Sequence, residues 1–174
     1  MAFADESGFM LPPTVRRTWA PLGQTPIHQS WDRRDRLSAI SAITLSPVGR
    51  LGLYFDILDH NVTTDDFEAF IERLRRRVRR PLTLVIDRYS VHRSAAKHLL
   101  ARFPQRLRIA WLPAYAPELN PDEQVWNRTK YTDLANFIPN DVLHLGHTMA
   151  DSFRRTAKQP TLLRSFFHHA GLQL

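Results

Sequence analysis

The feature that most constrains this chain is a short apolar run, Leu82–Ile86, that ends at an acidic residue, Asp87. A run of this length and composition suits a strand that is buried on both faces. A strand of that kind needs a packed layer on each side. The run therefore predicts the centre of a layered fold, and it places Asp87 at the edge of the apolar interior, where a lone carboxylate is costly to bury.

The spacing of apolar residues around this run predicts an α/β domain. Period-two alternation and short apolar runs predict five strands, at residues 2–7, 37–45, 51–57, 82–86 and 107–112. Helical spacing predicts a helix between a cap at Thr63 or Thr64 and Pro81, and further helices at residues 94–102, 120–131, 141–158 and 161–170. A hairpin followed by strand–helix alternation predicts a mixed sheet with helices on its faces.

Residues 9–31 show no clear period and contain four prolines, so they predict a long irregular connection with a short extended piece at residues 18–20. The length of 174 residues suits a single domain over residues 1–174, whose core needs no disulfide; the chain has no cysteine. The formal net charge of +7 favours a polyanionic partner, although it also serves solubility alone. No membrane span or signal-peptide pattern is present, so we expect a cytoplasmic protein with no membrane contact.

Three carboxylates lie where α/β folds place functional groups. Asp5 lies near the end of the first predicted strand, Asp87 follows the apolar run, and Glu123 lies in the first turn of a predicted helix. Structural alternatives stay open, because Asp87 could bond loop amides, Glu123 could complete a capping box with Asn120, and either Asp5 or Glu6 could point outward. Gathered together, the three acids would repel one another, and a divalent cation such as Mg²⁺ offsets that repulsion.

Four blocks of sequence, in a fixed order, carry a family resemblance. They are ADESGF at residues 4–9, RRTWAPLGQTP at 16–26, LVIDRYSVHRS at 84–94 and WLPAYAPELNPDEQVWNRTK at 111–130. The last block is the most specific, because Tyr-x-Pro-x-Leu-Asn-Pro precedes an acid and then a tryptophan. These blocks resemble the DDE transposase domain of bacterial insertion sequences related to the mariner-like superfamily.

The resemblance implies an RNase H-like fold, a mixed five-stranded sheet with helices on both faces. It implies that Asp5, Asp87 and Glu123 form a catalytic triad that holds Mg²⁺ or Mn²⁺, as two ions. Asp122 precedes Glu123 and leaves a local ambiguity of register, in which we favour Glu123 because it follows Asn-Pro-x. The implied reaction is hydrolysis of DNA at the element ends and attack of the freed 3′ hydroxyl on target DNA, with no covalent enzyme intermediate.

Basic residues around these blocks are the candidates for DNA contact. We predict phosphate contacts by Arg88, His92, Arg93, Arg73, Arg76, Arg80 and Lys130. Each of these predictions has an alternative. Arg88 could instead neutralise Asp87, and His92 could pack a loop while Arg93 is solvated. The arginine-rich helix could present a face that only meets solvent. A second candidate surface interleaves arginines with two tryptophans that otherwise pack the sheet edge: Arg16, Arg17, Arg33, Arg34, Arg36, Trp19 and Trp31. Trp111 and Trp126 are expected in the core.

The resemblance also sets expectations for partners. Full transposases of this type carry helix-turn-helix modules before the first catalytic acid, and we expect none here because Asp5 is almost the first residue. We also expect the first strand to be short and to support the sheet poorly. The chain would then be a frameshift-joined half that meets an upstream DNA-binding module, or a remnant. We expect DNA partners (element ends and target), a homodimer in the transposition complex, and a bacterial, nucleoid-associated location. The alternatives are a non-catalytic fragment that binds DNA or full-length transposase, and a different RNase H-like nuclease.

Overall fold

The computed structural model describes residues 1–27 and 35–174, and it contains one five-stranded sheet with helices on both faces. The strands are β1 (Ala2–Met10), β2 (Arg36–Leu45), β3 (Leu51–Leu58), β4 (Leu82–Ile86) and β5 (Leu107–Trp111). Their spatial order is β3-β2-β1-β4-β5. β1, β2 and β3 pair antiparallel, whereas β4 pairs parallel with both β1 and β5, so the sheet is mixed as predicted.

β1 is longer than the sequence indicated. It runs for nine residues and pairs with β2 along its whole length, from Ala2 opposite Thr44 to Met10 opposite Arg36. Its first residues also pair with the central strand β4, with Ala2 opposite Leu84. The expectation of a short first strand and a poorly supported sheet is therefore wrong, because pairing with two neighbours stabilises residues whose own sequence pattern is weak.

Five α-helices within residues 1–27 and 35–174 cover the sheet. They are α1 (Thr64–Val78), α2 (Ser90–Arg102), α3 (Glu123–Arg128), α4 (Val142–Ala157) and α5 (Pro160–His169). α1 and α2 bury Phe67, Ile71 and Leu99 against one face, and α4 and α5 bury Phe153 and Phe167 against the other. No helix in the described ranges combines the length and the apolar composition needed to cross a membrane.

The central strands contribute to both apolar layers, as period-two geometry requires. In β2, Ala39 and Ile43 join the layer under α4 and α5, while Ile40 and Ala42 join the layer under α1 and α2. The same alternation in β1 sends odd-numbered residues such as Phe3 towards α4 and α5. By the same alternation, Asp5 is expected on the face of α4 and α5, and Glu6 on the face of α1 and α2.

α1 begins and ends as its sequence predicts. The hydroxyl of Thr63 accepts from the backbone N–H of Asp66 at 3.2 Å, and the Asp66 carboxylate accepts from the N–H of Thr63 at 2.9 Å. This reciprocal capping box satisfies amides that have no partner within the helix. At the other end Arg79 takes a left-handed conformation (φ 57°), and Pro81 follows shortly after.

Two predicted boundaries are wrong. α2 begins at Ser90 rather than at residue 94, so His92 and Arg93 lie in its first turn and not in a loop. The predicted helix over residues 120–131 begins only at Glu123, after a 3₁₀ turn at Pro117–Leu119, and its short α3 passes into a π-helical turn at Thr129–Asp133. Periodicity alone does not register such breaks, because the α-helical, 3₁₀ and π-helical turns differ by only a fraction of a residue per turn over so short a segment.

The connection between β1 and β2 is irregular where it is described. Residues 18–20 form no strand, so the expected extended piece there is wrong. The Trp19 side chain is 99% exposed, so the alternative in which it packs the sheet edge is also wrong. Trp31, Arg33 and Arg34 lie outside the described residues. Trp126 is buried as expected, whereas Trp111 is 36% exposed because it lies at the end of the edge strand β5.

Candidate active site

Sheet register brings the first two predicted acids to one place. Phe3 of β1 pairs with Val85 of β4 in parallel, and Asp5 and Asp87 each lie two residues further on. Side chains two residues apart point to the same face of a sheet. Asp5 and Asp87 are therefore neighbours across adjacent strands, on the side that faces α3. Both line a pocket of about 520 Å³.

Glu123 enters the same pocket from the start of α3. The capping box that its spacing suggests is not formed, because Asn120 does not cap the helix with its side chain. Instead Asn120 Oδ1 accepts from the backbone N–H of Asp122 at 3.1 Å, and Asn120 Nδ2 donates to Asp5 Oδ2 at 3.3 Å. The Asn-Pro segment thus supports the acidic pocket, and the Glu123 carboxylate is left to interact with Asp5 and Asp87.

Asp122 and Glu123 are adjacent acids with different surroundings. Asp122 is fully buried, and one of its oxygens accepts from Ser41 Oγ at 2.7 Å. Its other oxygen, Oδ1, has no hydrogen-bond partner among the described residues. Burial, together with the charges of Asp5 and Glu123, raises the pKa of Asp122 well above its ordinary value. Asp122 therefore lies within the fold and does not line the pocket, whereas Glu123 does.

The pocket acids repel one another. Burial, then the charge of Glu6 and then that of Glu123, raises the pKa of Asp5 to about 7. Burial and the charge of Asp87 also raise the pKa of Glu123, against the opposing effects of Asp5 and Lys130. Burial and mutual repulsion thus disfavour the charged forms of Asp5 and Glu123, and a divalent cation held between such acids offsets this cost.

Asp87 is held in place by hydrogen bonds to one of its oxygens. Oδ1 accepts from the backbone N–H of Tyr89 at 2.9 Å and from His92 Nδ1 at 2.6 Å. The bond to a following amide is the structural role that the sequence left open for this residue. The same side chain also lines the pocket, so that role and a catalytic one are compatible.

His92 is buried between two acids. Its Nε2 lies 2.5 Å from Glu6 Oε2, and its Nδ1 bonds Asp87. Its ring packs against the Phe67 ring at a tilt of 41°, with centroids 4.4 Å apart. Burial disfavours the charged ring, but hydrogen bonds and charge from Glu6 and then Asp87 outweigh it and raise the pKa of His92. Both ring nitrogens are occupied and the side chain is fully buried, so the predicted phosphate contact through His92 has no free donor.

Sequence reasoning missed the role of Glu6. Alternation along β1 turns Glu6 to the face opposite Asp5, towards α2, where it meets His92. One ligand atom each from Asp5, Glu6 and His92 lies within 4.8 Å of the others, which is close enough to hold a metal ion. The sequence did contain a signal for this role. Asp5 and Glu6 are consecutive in a strand, so their side chains must point to opposite faces of the sheet, and each face then holds one acid.

The predicted basic residues divide between the pocket and other surfaces. Arg88 lines the acidic pocket with its guanidinium 5.9 Å from the centroid of Trp111. Lys130 Nζ donates to Ser7 Oγ at 2.7 Å, and burial lowers the pKa of Lys130 against the opposing charges of Glu123 and Asp5. Arg93 is exposed on α2.

The arginines of α1 do not line the acidic pocket. Arg73 forms an ion pair with Asp56 of β3. Arg76 bonds Glu72 one turn earlier at 3.4 Å, and Arg80 follows the helix at the far end of β4 from Asp87. The structure thus separates Arg88 and Lys130, near the acids, from Arg73, Arg76 and Arg80, on or just after α1.

Several solved structures with a similar fold are complexes of the Mos1 transposase. The structure titled as the Mos1 strand transfer complex matches with a TM-score of 0.69 and 16% identity over 98% of this chain and 50% of that chain. The Mos1 mariner paired end complexes with Mn and with Mg match with TM-scores of 0.71 and 0.67 and identities of 13% and 14%. Each of these two matches covers 98% of this chain and 53% of the Mos1 chain.

The chain thus spans about half the length of the Mos1 chains, and this likeness supports the predicted RNase H-like α/β fold. The comparison with curated proteins found no match. The family described as DDE superfamily endonuclease matches residues 1–141, and this match confirms the resemblance found in the four sequence blocks. The chain belongs to the DDE superfamily endonucleases.

Proposed function

We propose that this chain is the catalytic domain of an insertion-sequence transposase, which cleaves DNA strands and transfers them with the help of divalent metal ions. The observation that carries the proposal is the pocket of about 520 Å³ in which Asp5, Asp87 and Glu123 meet. Membership of an endonuclease family supports the same chemistry. The Mos1 structures are titled as strand transfer and paired end complexes, which describes Mos1 itself and gives the proposal its reaction class.

Asp5, Asp87 and Glu123 would hold two Mg²⁺ or Mn²⁺ ions. Their oxygen donors suit hard cations, and a cation would offset the burial and like-charge repulsion that raise the pKa values of Asp5 and Glu123. When bound, the ions supply activation of a water or a 3′ hydroxyl and stabilisation of the leaving oxygen. No side chain needs to act as a nucleophile in this reaction class.

The surrounding residues orient the acids. His92 and the amide of Tyr89 fix one oxygen of Asp87, which leaves its other oxygen towards the pocket. Asn120 holds Asp5 through a bond of 3.3 Å. Arg88 reaches the same pocket and would contact a DNA phosphate there. Residues that hold ligands in one orientation commonly change metal affinity or activity by about 10- to 100-fold.

The proposed partners are the element ends, the target DNA and a second copy of the chain, in the bacterial cytoplasm close to the nucleoid. The net charge of +7 supports a DNA partner. Three large apolar side chains in the connection after β1 are almost fully exposed: Trp19 at 99%, Leu22 at 104% and Ile27 at 86%. Apolar groups exposed together commonly mark a protein interface, which supports a dimer.

The test is nicking of supercoiled plasmid DNA by the wild type, Asp87→Asn and the matched control Asp151→Asn, which removes an exposed carboxylate on α4. With Mg²⁺ or Mn²⁺ we expect nicking by the wild type and the control but not by Asp87→Asn, and EDTA should stop all cleavage. Equal nicking by all three would refute the triad. DNA binding without nicking by any of them would instead favour the non-catalytic alternative.

A further inference from the structure

Arginine side chains form a pocket of about 240 Å³ at the end of the sheet opposite Asp87. This arginine pocket is lined by Arg75, Arg76, Arg79, Arg80 and Arg106. Arg106 precedes β5, and its carbonyl accepts from the N–H of Leu82, the first residue of β4. Asp87 follows the last residue of β4, so about 16 Å of strand, at roughly 3.3 Å per residue, separates the two pockets.

Acidic partners for this cluster are scarce among residues 1–27 and 35–174. Arg76 bonds Glu72 at 3.4 Å, and Glu72 also pairs with Arg102. The other four arginines of the pocket form no ion pair within 4.0 Å with any described residue. Arg73, on the same helix but outside the pocket, differs from these four arginines in that it forms an ion pair with Asp56. The arginine pocket therefore keeps most of its positive charge available.

One member is held in position by stacking. The guanidinium of Arg75 lies 3.9 Å from the centroid of the Phe103 ring, and its Nε is buried without a hydrogen-bond partner among the described residues. A stacked guanidinium presents its N–H groups at the edge of the plane, where an oxyanion accepts them. Stacking on Phe103 thus orders Arg75 before any ligand arrives.

The chemistry of the pocket selects a phosphate-rich polyanion. Like charges in one pocket repel one another, and the carbonyl end of α1 offsets only part of that repulsion. Guanidinium groups match phosphate oxygens in a bidentate geometry. The positive charge also continues beyond the pocket, because Arg80 lines a neighbouring pocket of about 350 Å³ together with Arg50. A chain of phosphates fits this extended surface better than a single small anion does.

We propose that the arginine pocket binds the phosphodiester backbone of DNA at a place remote from the reacting phosphate. The choice of DNA as ligand rests on the proposed function. The site is nevertheless separate from the acids, since none of its lining residues lines the acidic pocket. It would hold a length of DNA against α1 while another segment lies at Asp5, Asp87 and Glu123.

The test measures DNA binding by fluorescence anisotropy, with a labelled duplex of about 30 base pairs, in EDTA, over a series of NaCl concentrations. The triple variant Arg79→Gln, Arg80→Gln and Arg106→Gln removes three exposed charges from the pocket. The matched control Arg154→Gln, Lys158→Gln and Arg164→Gln removes three exposed charges from or beside α4 and α5. Each triple lowers the formal net charge by the same amount.

We expect the pocket triple to weaken binding by about 10-fold or more and to reduce the slope of log K against log salt by about 2 to 3, as loss of that many phosphate contacts requires. The control triple should change the slope by less than about 1. A charge-retaining triple, Arg79→Lys, Arg80→Lys and Arg106→Lys, should keep the slope of the wild type. Equal thermal melting of all variants shows that folding is unchanged.

Two results would overturn the proposal. One is an equal loss of affinity in the pocket and control triples, which would assign binding to net charge alone. The other combines two observations: inorganic phosphate at constant ionic strength stabilises the wild type but not the pocket triple against heat, and the two proteins bind DNA equally. That result would assign the pocket to small anions. Because binding is measured in EDTA, failure here is distinct from failure of metal-dependent nicking.

Discussion

Side chains of opposite charge lie at the two ends of β4, and they differ in how many partners hold them in place. At the carboxyl end, Asp5, Asp87 and Glu123 meet in the acidic pocket, where His92 and Asn120 hold two of them by hydrogen bonds. At the amino end, five arginines line a pocket. Among the described residues, Arg76 is the only one of the five that forms an ion pair, with Glu72.

The difference separates a site that needs fixed geometry from one that needs charge. Metal-assisted chemistry requires ligand oxygens in set positions, so partners that orient each acid are useful there. Attraction of a flexible polyanion requires positive potential more than fixed angles. A single substitution that keeps shape but removes charge should therefore act strongly at the acidic end, where each carboxylate has a set position, and weakly at the basic end, where five arginines share the positive charge.

The sharpest test of the acidic end compares two neighbouring acids. Glu123→Gln should reduce nicking about 1000-fold, about 4 kcal/mol of transition-state stabilisation, because it removes a carboxylate that faces the proposed metals. Asp122→Asn should reduce nicking by less than about 10-fold, because Asp122 is buried against Ser41 and does not line the acidic pocket. Initial rates on supercoiled plasmid DNA measure both, and equal losses would place Asp122 in the site.

His92 tests whether orientation matters at this end. His92→Phe leaves Glu6 and Asp87 without their shared partner, so we expect a loss of about 3 kcal/mol in the free energy of unfolding and a 10- to 100-fold loss in nicking. Glu6→Gln keeps a polar group beside the ring and should be milder in both measurements. Denaturant unfolding and nicking rates are the readouts. A His92→Phe variant with wild-type stability and activity would show that the bridge has no role.

The acidic end should also make metal-free stability depend on pH. The folded pKa of Asp5 is about 7 against an ordinary value of 3.8, so the folded state binds more protons in that interval and stability falls as pH rises from about 4 to 7. The raised pKa of His92 has the same sign, because the proton it holds is lost as pH rises through the folded value.

Thermal melts in EDTA should therefore give a lower Tm at pH 7.5 than at pH 5.5, and Asp5→Asn should reduce this difference. At pH 7.5, Mg²⁺ at about ten times its Kd should raise Tm by about 3–6 °C. The same addition should not raise the Tm of Asp5→Asn to a comparable extent. A wild type whose Tm is indifferent to Mg²⁺ and Mn²⁺ would contradict a metal site in this pocket.

The smallest expected effect separates two arginines at the basic end. Arg80→Gln should weaken DNA binding about threefold, whereas Arg73→Gln should change it less than twofold because Arg73 is paired with Asp56. Arg73→Gln should instead cost less than about 1 kcal/mol of stability, since its ion pair is largely exposed. Anisotropy titrations in EDTA and denaturant unfolding distinguish the two roles. Equal binding losses would make α1 one uniform basic face.

Most of the fold was predictable because its elements follow simple periodicity. The hairpin of β2 and β3, the buried strand β4 and the capped helix α1 all carry patterns that one conformation satisfies best. The prediction erred where partners decide the conformation. β1 has a mixed sequence and is long because it pairs on both sides, and α2 begins early because its first turn includes the buried His92.

The site was predictable in its residues and less so in its contacts. The four sequence blocks identified Asp5, Asp87 and Glu123, and the structure brings all three into one pocket, while their catalytic role stays a prediction. The spacing of Asn120 and Glu123 also matched a capping box that the structure does not form. Sequence spacing describes what a helix end could do, and it does not contain the competing strand residue that Asn120 binds instead.

The sequence by itself determined an α/β chain with three separate acids, an arginine-rich helix and membership of a nuclease family, since periodicity, charge and motifs are local properties. Only the tertiary structure decided which acids meet. Parallel pairing of β1 with β4 sets Asp5 beside Asp87, and alternation along β1 sends Glu6 to His92 on the other face. It also decided that the arginines of α1 gather with Arg106 at the opposite end, because contacts between distant segments depend on strand order and register.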